Sequence, residues 1–327
     1  MNQDSFTALI TGAAGFIGSH LSEKIIQLGG NVYGIDSFTD YYPRKIKEDN
    51  ISMLQSNEQF KHHFHFIEGS LQHMLIKPIL NKVDYVFHLA AQAGVRTSWD
   101  KNFYAYTTNN INATQHLLEE CQNTQIKKLI FASSSSVYGN AKTLPMNEHH
   151  VLSPVSPYGV TKMVGEQLCF LYHKTFSIPV LSLRYFTVFG PRQRPDMAFH
   201  KFMKNILLGR PFTIYGDGKQ TRDFTFIDDA VTGTINAALH GIPGEIYNIG
   251  GGNRAELNKV IEQLKEITGS SFTFEHQESQ KGDVQDTYAD INKANNEIHY
   301  RPTISLKEGL KQQWQWILNY FKEERNT

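Results

Sequence analysis

The segment Gly12-Ala13-Ala14-Gly15-Phe16-Ile17-Gly18 joins a short apolar run, Thr7 to Thr11, to a stretch from Phe16 to Leu28. Within that stretch Ile17, Leu21, Ile25 and Leu28 recur on one helical face. A strand, a turn of small residues and a helix, in that order, restrict the fold more than any composition does. Small residues let the backbone turn tightly, bring amide N–H groups close to a pyrophosphate and pack the helix on the sheet, with the helix N-terminus facing the phosphates. Gly29-Gly30 closes the helix, and Asn31 to Asp36 reads as the next strand. The spacing is Gly-x-x-Gly-x-x-Gly, not the commoner Gly-x-Gly-x-x-Gly, so the turn alone also fits a nucleotide-free sheet. Asp36 decides between the two, because a carboxylate ending the second strand accepts hydrogen bonds from an adenosine ribose. It would also repel a 2′-phosphate, and Ser37 and Phe38 offer no cation to hold one. NAD is therefore expected rather than NADP. No Gly-Lys-Ser/Thr follows the glycines, which excludes a phosphate-loop NTPase.

Phe64 to Ile67, Val83 to Leu89, Lys128 to Ala132 and Val180 to Leu183 are further short apolar runs, with helical stretches between most of them. Strands alternating with helices imply an α/β fold with a doubly wound parallel sheet. From about Tyr185 the rhythm changes to a Pro- and Arg-rich loop, Gly190 to Pro195, then short strands and helices near Ala198 to Leu208, Ala230 to Leu239, Ala255 to Thr268 and Leu306 to Phe321. We expect an NAD-binding domain over 1–184 and a smaller mixed α/β substrate lobe over 185–327, the boundary being approximate because the chain can cross back. At 327 residues and 40% hydrophobic content, one large core with an appended lobe is affordable in surface terms.

Lys plus Arg equals Asp plus Glu at 32 each, with no basic block, so nucleic acid is not an expected partner. Cys121 and Cys169 each sit in a helical pattern, which suits buried thiols in a reducing cytosol and excludes a disulfide framework. Residues 1–5 are polar without a basic leader, and no run approaches the ~20 apolar residues of a membrane span. A cytoplasmic protein is expected. His62, His63 and His65 cluster without Cys or paired carboxylates, so a solvated strand face is expected and no metal.

Ser156 is a good N-cap and Pro157 fits the first helical position, which places Tyr158 in the first turn of a helix with Lys162 on the same face. A free phenol ionises near about 10, too high for a base at neutral pH. An ammonium ~4 Å away at an effective dielectric of about 20 contributes on the order of 4 kcal/mol, roughly three pKa units, toward neutrality. An isolated Tyr-x-x-x-Lys is an ordinary helix surface. Here Ser133-Ser134-Ser135-Ser136-Val137-Tyr138-Gly139 follows a parallel strand, where such sheets bind ligands, and a hydroxyl there can share a substrate proton with Tyr158. A serine hydrolase is excluded because Gly-x-Ser-x-Gly is absent.

Taken in order, the glycine turn, His88-Leu89-Ala90-Ala91, Asn110, the serine run, Tyr158-x-x-x-Lys162 and Leu183-Arg184-Tyr185-Phe186 resemble the extended short-chain dehydrogenase/reductases, specifically the nucleotide-sugar epimerases and dehydratases. The resemblance covers essentially the whole chain and implies a Rossmann-type sheet. It further implies a catalytic Ser134, Tyr158 and Lys162, and an NAD site lined by Gly12, Gly15, Phe16, Ile17, Gly18, Asp36, Ser37, Phe38, Leu89, Ala90, Ala91 and Asn110, with Tyr158 and Lys162. Dehydratases and uronate decarboxylases resemble one another in carrying an acid before Val-Tyr-Gly; Ser135 and Ser136 stand there instead, which disfavours both reactions.

Asp36 to Tyr42 and Thr187 to Phe199 are similar to the UDP-glucuronate 4-epimerases. That resemblance implies a UDP-sugar bound by Ser134, Ser135, Thr187, Arg194, Tyr215, Arg222 and Asp283. A uronate needs donors for its C6 carboxylate, which an Arg meets bidentately, and Thr187 and Arg194 are the choices for it. Arg192 is open between the carboxylate and the diphosphate. Many relatives carry Arg three residues before Asp283, where this chain has Gln280. A homodimer through the helices near 103–121 and 158–176 is implied as well. The activity expected is reversible C4 epimerisation of UDP-glucuronate to UDP-galacturonate. The alternatives are a 4-epimerase of UDP-glucose or UDP-N-acetylglucosamine, a UDP-4-keto-sugar reductase, and an idle NAD-sensing protein, the last disfavoured by the retained Tyr158 and Lys162.

Overall fold

Strands buried on both faces divide their side chains between two cores, and the first strand does so residue by residue. In β1 (Thr7–Thr11) Ala8 and Ile10 enter one core and Leu9 the other. The computed structural model describes residues 6–322; the polar stretch 1–5 and residues 323–327 lie outside the described residues. Five more parallel strands follow in chain order: β2 (Asn31–Asp36), β3 (Phe64–Glu68), β4 (Tyr85–His88), β5 (Lys128–Ser134) and β6 (Val180–Tyr185). The seven-stranded sheet has the order β10-β6-β5-β4-β1-β2-β3, in which β10 (Ile246–Ile249) returns from the second lobe to pair with β6. The order reverses at β1, between β4 and β2, so a crevice opens above their carboxyl ends.

Helices α1 (Phe16–Gln27), α2 (Arg44–Ser56) and, later in the chain, α8 (Ile227–His240) cover one face. On the other face are α3 (Lys77–Leu80), α4 (Phe103–Tyr106), α5 (Ala113–Cys121) and α6 (Pro157–Phe176), with a π-helical stretch, Thr107–Asn112, between α4 and α5. Cys121 and Cys169 are free and buried there. β3 is an edge strand, which leaves His65 on a solvated side, as the polar pattern requires.

The second lobe holds β7 (Thr187–Phe189), α7 (Ala198–Leu207), β8 (Phe212–Tyr215), β9 (Thr221–Phe226), β11 (Asn253–Glu256), α9 (Leu257–Thr268), β12 (Phe274–Gln277), α10 (Asn292–Ile298) and α11 (Leu306–Tyr320). Phe189, Phe199, Phe224 and Phe226 pack ring on ring at its centre. Helical periodicity carries the α9 reading back to Ala255, but 253–256 pairs antiparallel with β9 instead. Cross-strand hydrogen bonds there outcompete one further helical turn.

Candidate active site

One cleft of about 590 Å³ runs above the reversal of the sheet and under the second lobe. Its first wall is the glycine turn. Gly12 has φ +75°, and a Cβ on it would lie 2.8 Å from the Ala90 amide nitrogen. A Cβ on Gly18 would lie 2.1 Å from Gly12 O, so the start of α1 can approach β1 only with glycine there. No side chain caps α1 and no acid lies in its first turn, so its first amides remain available to an anion. Asp36, buried at the end of β2, accepts from Ala14 N at 3.1 Å and Phe38 N at 2.9 Å. Burial pushes its carboxyl up, against the two amides and the nearby Lys47 charge. A dinucleotide fits this half of the cleft: a Cβ-free cradle for the pyrophosphate and a carboxylate for the ribose.

The opposite wall is held by His88. Thr114 Oγ1 donates to Asn110 O (2.7 Å) and accepts from His88 Nε2 (2.9 Å), which assigns the ring proton to Nε2. Nδ1 therefore accepts from Thr11 Oγ1 (2.8 Å), which in turn accepts from Ala90 N (3.2 Å). Burial lowers the ring to about 3, so it stays neutral and the chain of bonds keeps one direction. It pins the start of the loop carrying Leu89, Ala90 and Ala91 against the cleft.

Gly12, Gly15, Phe16, Ile17, Gly18, Asp36, Ser37, Leu89, Ala90, Ala91, Tyr158 and Lys162 all line the cleft. Phe38 and Asn110 are not among its lining residues. Phe38, at φ +49°, packs its ring on Phe66 beneath Arg44 and contributes its amide to Asp36. Asn110 is buried; its carboxamide bonds both the N–H and the C=O of Gln92 and also Thr161 Oγ1, bracing the loop after β4 against α6. Lys47 was not foreseen: it lines the cleft from α2, donates to Thr39 O at 2.7 Å and lies over the Tyr42 ring.

Ser156 caps α6 through the Gly159 amide (3.1 Å) and Pro157 opens it, so Tyr158 and Lys162 reach the cleft together. Ser134, the last residue of β5, is hydrogen-bonded to the Tyr158 phenol and accepts from Ser136 N. Burial pushes the phenol up; Arg194 is the leading charge opposing it, followed by the Ser134 bond. Lys162 donates to Ala132 O at 2.7 Å, and burial lowers it to about 8. By helical spacing alone, Lys162 is the group that lowers the phenol. In the fold its ammonium is turned to a backbone carbonyl, and desolvation of a buried tyrosine exceeds the attraction.

Ser135, Thr187, Arg194, Tyr215 and Asp283 also line the cleft. Arg194 is bound to Asp196, whose carboxyl is raised by burial but lowered further by that guanidinium. Arg222 is not among the lining residues: it donates to Thr221 O, Gln285 O and Val284 O and so braces the segment beside Asp283. Arg192, at φ +61°, turns to α1 instead, donating to Glu23 (2.6 Å) and His20 Nε2 (3.2 Å), and ties its loop to the dinucleotide helix. Arg96 is a further site residue, outside every motif of the sequence. It lines the cleft, pairs with Asp283 at 2.8 Å and lies 4.2 Å from the centre of the Tyr215 ring. Its only sequence signal is its position in the loop after β4, at the reversal of the sheet.

Residues 9–313 match the family model described as GDP-mannose 4,6 dehydratase. The chain belongs to this family of extended short-chain dehydrogenase/reductases. The crystal structure of a Bacillus cereus UDP-glucuronic acid 4-epimerase in complex with UDP-glucuronic acid and NAD superposes with TM-score 0.92 at 46% identity, covering 96% of this chain and 99% of that one. A UDP-glucuronate 4-epimerase of Thermodesulfobacterium geofontis is 40% identical over 94% of this chain and 95% of its own. An uncharacterised UDP-glucose epimerase of Bacillus subtilis (strain 168) is 46% identical over 97% and 99%. The family model is named for a dehydratase, yet this member has Ser135 and Ser136 in its cleft where that elimination needs an acid and a base. Among the described residues no helix is long and apolar enough to cross a membrane, and no group of three His, Cys, Asp or Glu is placed to hold a metal.

Proposed function

We propose that this short-chain dehydrogenase/reductase is a UDP-glucuronate 4-epimerase, interconverting UDP-glucuronate and UDP-galacturonate through a 4-keto sugar. The observation that carries this is one cleft in which Arg194 and Thr187 share walls with Ser134 and Tyr158, Arg194 being close enough to act on the phenol's charge. NAD, which the glycine turn and Asp36 would hold, would supply a reversible hydride acceptor for C4 of the sugar. Tyr158 takes the O4 proton as the hydride leaves and gives it back on reduction, so no proton or electron is left over. Ser134 holds O4 against the phenol, and Lys162, anchored on Ala132 O, would hold the nicotinamide ribose. Thr187 and Arg194 hold the C6 carboxylate, which keeps the β-keto acid from aligning its carboxylate for loss of carbon dioxide. Ser135 and Ser136 do not ionise at working pH, so elimination across C5 and C6 finds no acid-base pair.

The division of labour proposed is dinucleotide on 1–184 and nucleotide sugar on 185–327, with β10 returning to the first sheet. The UDP group is placed against Tyr215, Arg96 and Asp283, which together line one end of the cleft. A homodimer is proposed through α4 and α6, where Tyr104, Phe170, Leu171 and Phe176 are exposed. Two free buried thiols fit a cytosolic setting.

Incubation with UDP-glucuronate, followed by the anomeric proton NMR signals, should show UDP-galacturonate growing to a constant ratio. A UDP-pentose, or no uronate epimer, would refute the assignment. The similarity to a UDP-glucose epimerase makes UDP-glucose the necessary second substrate; faster turnover of UDP-glucose would favour the neutral-sugar reading.

A further inference from the structure

Among the described residues the side-chain hydrogen bonds of Arg194 lie on one edge, and its guanidinium lies 5.8 Å from the centre of the Tyr41 ring. Its Nε lies 2.9 Å from Asp196 Oδ1 and its Nη2 2.9 Å from Asp196 Oδ2. A guanidinium presents two planar forks, a side edge of Nε and Nη2 and an end of Nη1 and Nη2. Asp196 takes the side edge, and among the described residues no hydrogen bond is made by Nη1 of the end fork. Asp196 is itself fixed, since the Tyr41 hydroxyl donates to Oδ2 at 3.1 Å. Tyr41 comes from the loop after β2, beyond Asp36. Its oxygen meets Thr97 Oγ1 at 3.4 Å, and that hydroxyl lies 2.7 Å from Tyr106 OH. The Tyr106 ring stands edge-on to Tyr158 at 6.3 Å between centroids. Arg194, Asp196, Tyr41 and Thr97 all line the cleft, so the arrangement joins both lobes beside the catalytic phenol.

We propose that Asp196 and Tyr41 are positioning residues that set the plane of the Arg194 guanidinium, so that its end fork meets the substrate carboxylate, and that they thereby set the preference for an acidic sugar over a neutral one. This rests on the reading of Arg194 as the carboxylate's partner. If Asp196 only neutralised a buried cation, its loss would harm folding and treat all sugars alike.

The test uses the NAD-loaded full-length enzyme. In Asp196→Asn an amide N–H faces the guanidinium and the two-point fork is lost. The KM for UDP-glucuronate should rise about tenfold with kcat within about threefold, while the dissociation constant of UDP-glucose, measured by calorimetry, stays within about twofold. Tyr41→Phe should raise the same KM about threefold. The double variant Arg194→Ala/Asp196→Asn should be no worse than Arg194→Ala, because a residue acting only through Arg194 has nothing left to orient. If Arg194→Ala leaves the UDP-glucuronate KM unchanged, the carboxylate reading falls and this proposal with it. If Arg194→Ala raises the KM but Asp196→Asn does not, or the two effects add, the proposal is overturned and the carboxylate reading stands. Should Asp196→Asn fail to fold, Tyr41→Phe decides, and equal weakening of UDP-glucuronate and UDP-glucose overturns the proposal.

Discussion

Replacing Lys162 by methionine removes an ammonium that the fold holds against its preference. Lys162 is 4% exposed, donates to Ala132 O at 2.7 Å, and burial lowers it from 10.5 to about 8. The folded pKa is below the unfolded one, so the charged form is penalised in the folded state. Below pH 8 both states carry the proton and the penalty is complete. Between pH 8 and 10.5 the folded form has shed a proton that the unfolded chain keeps, and the penalty fades. At 1.36 kcal/mol per unit it amounts to about 3 kcal/mol at pH 7 and about 1 kcal/mol at pH 9.5. Methionine fills a similar volume but leaves Ala132 O without this donor, a cost of about 1 kcal/mol. Lys162→Met should therefore be more stable than the parent by about 2 kcal/mol at pH 7 and equal to it near pH 9.5, while turnover falls about a thousandfold. Urea unfolding of the NAD-free proteins at both pH values measures the gap. A variant less stable at pH 7, or a gap that does not change with pH, would refute the reasoning.

Tyr158→Phe should lower kcat by about a thousandfold and leave UDP-glucuronate binding within about threefold, checked by rate assay and calorimetry. Gly18→Ala places a methyl 2.1 Å from Gly12 O and should weaken NAD binding at least about tenfold, read by fluorescence titration. Glu166→Gln breaks the buried 2.7 Å pair with Arg184 and should cost about 3–5 kcal/mol of unfolding free energy; a loss below about 1 kcal/mol would show the pair to be structurally idle.

The sheet, the glycine turn and the Tyr158–Lys162 spacing were legible in the sequence because each is written in short range. Alternation along a strand, a cap followed by Pro157, and four residues along a helix fix direction without reference to the rest of the chain. Helix boundaries drifted at 253–256, where β9 offered other partners, and at the start of α8, which begins at Ile227 and not Ala230. Side chains that act across the fold were not legible. Arg96 meets Asp283 187 residues away, Tyr41 meets Asp196 155 residues away, and Lys162 turns to Ala132 O, all settled by packing. Arg222 and Arg192 show the same limit from the other side: both lie in suggestive motifs, yet carbonyls at 284–285 and the acid on α1 claim them. Sequence periodicity determined which elements form and which two residues face the cleft together. Tertiary structure decided which charges meet, because a long flexible side chain finds its partner through desolvation and reach, and neither is encoded locally.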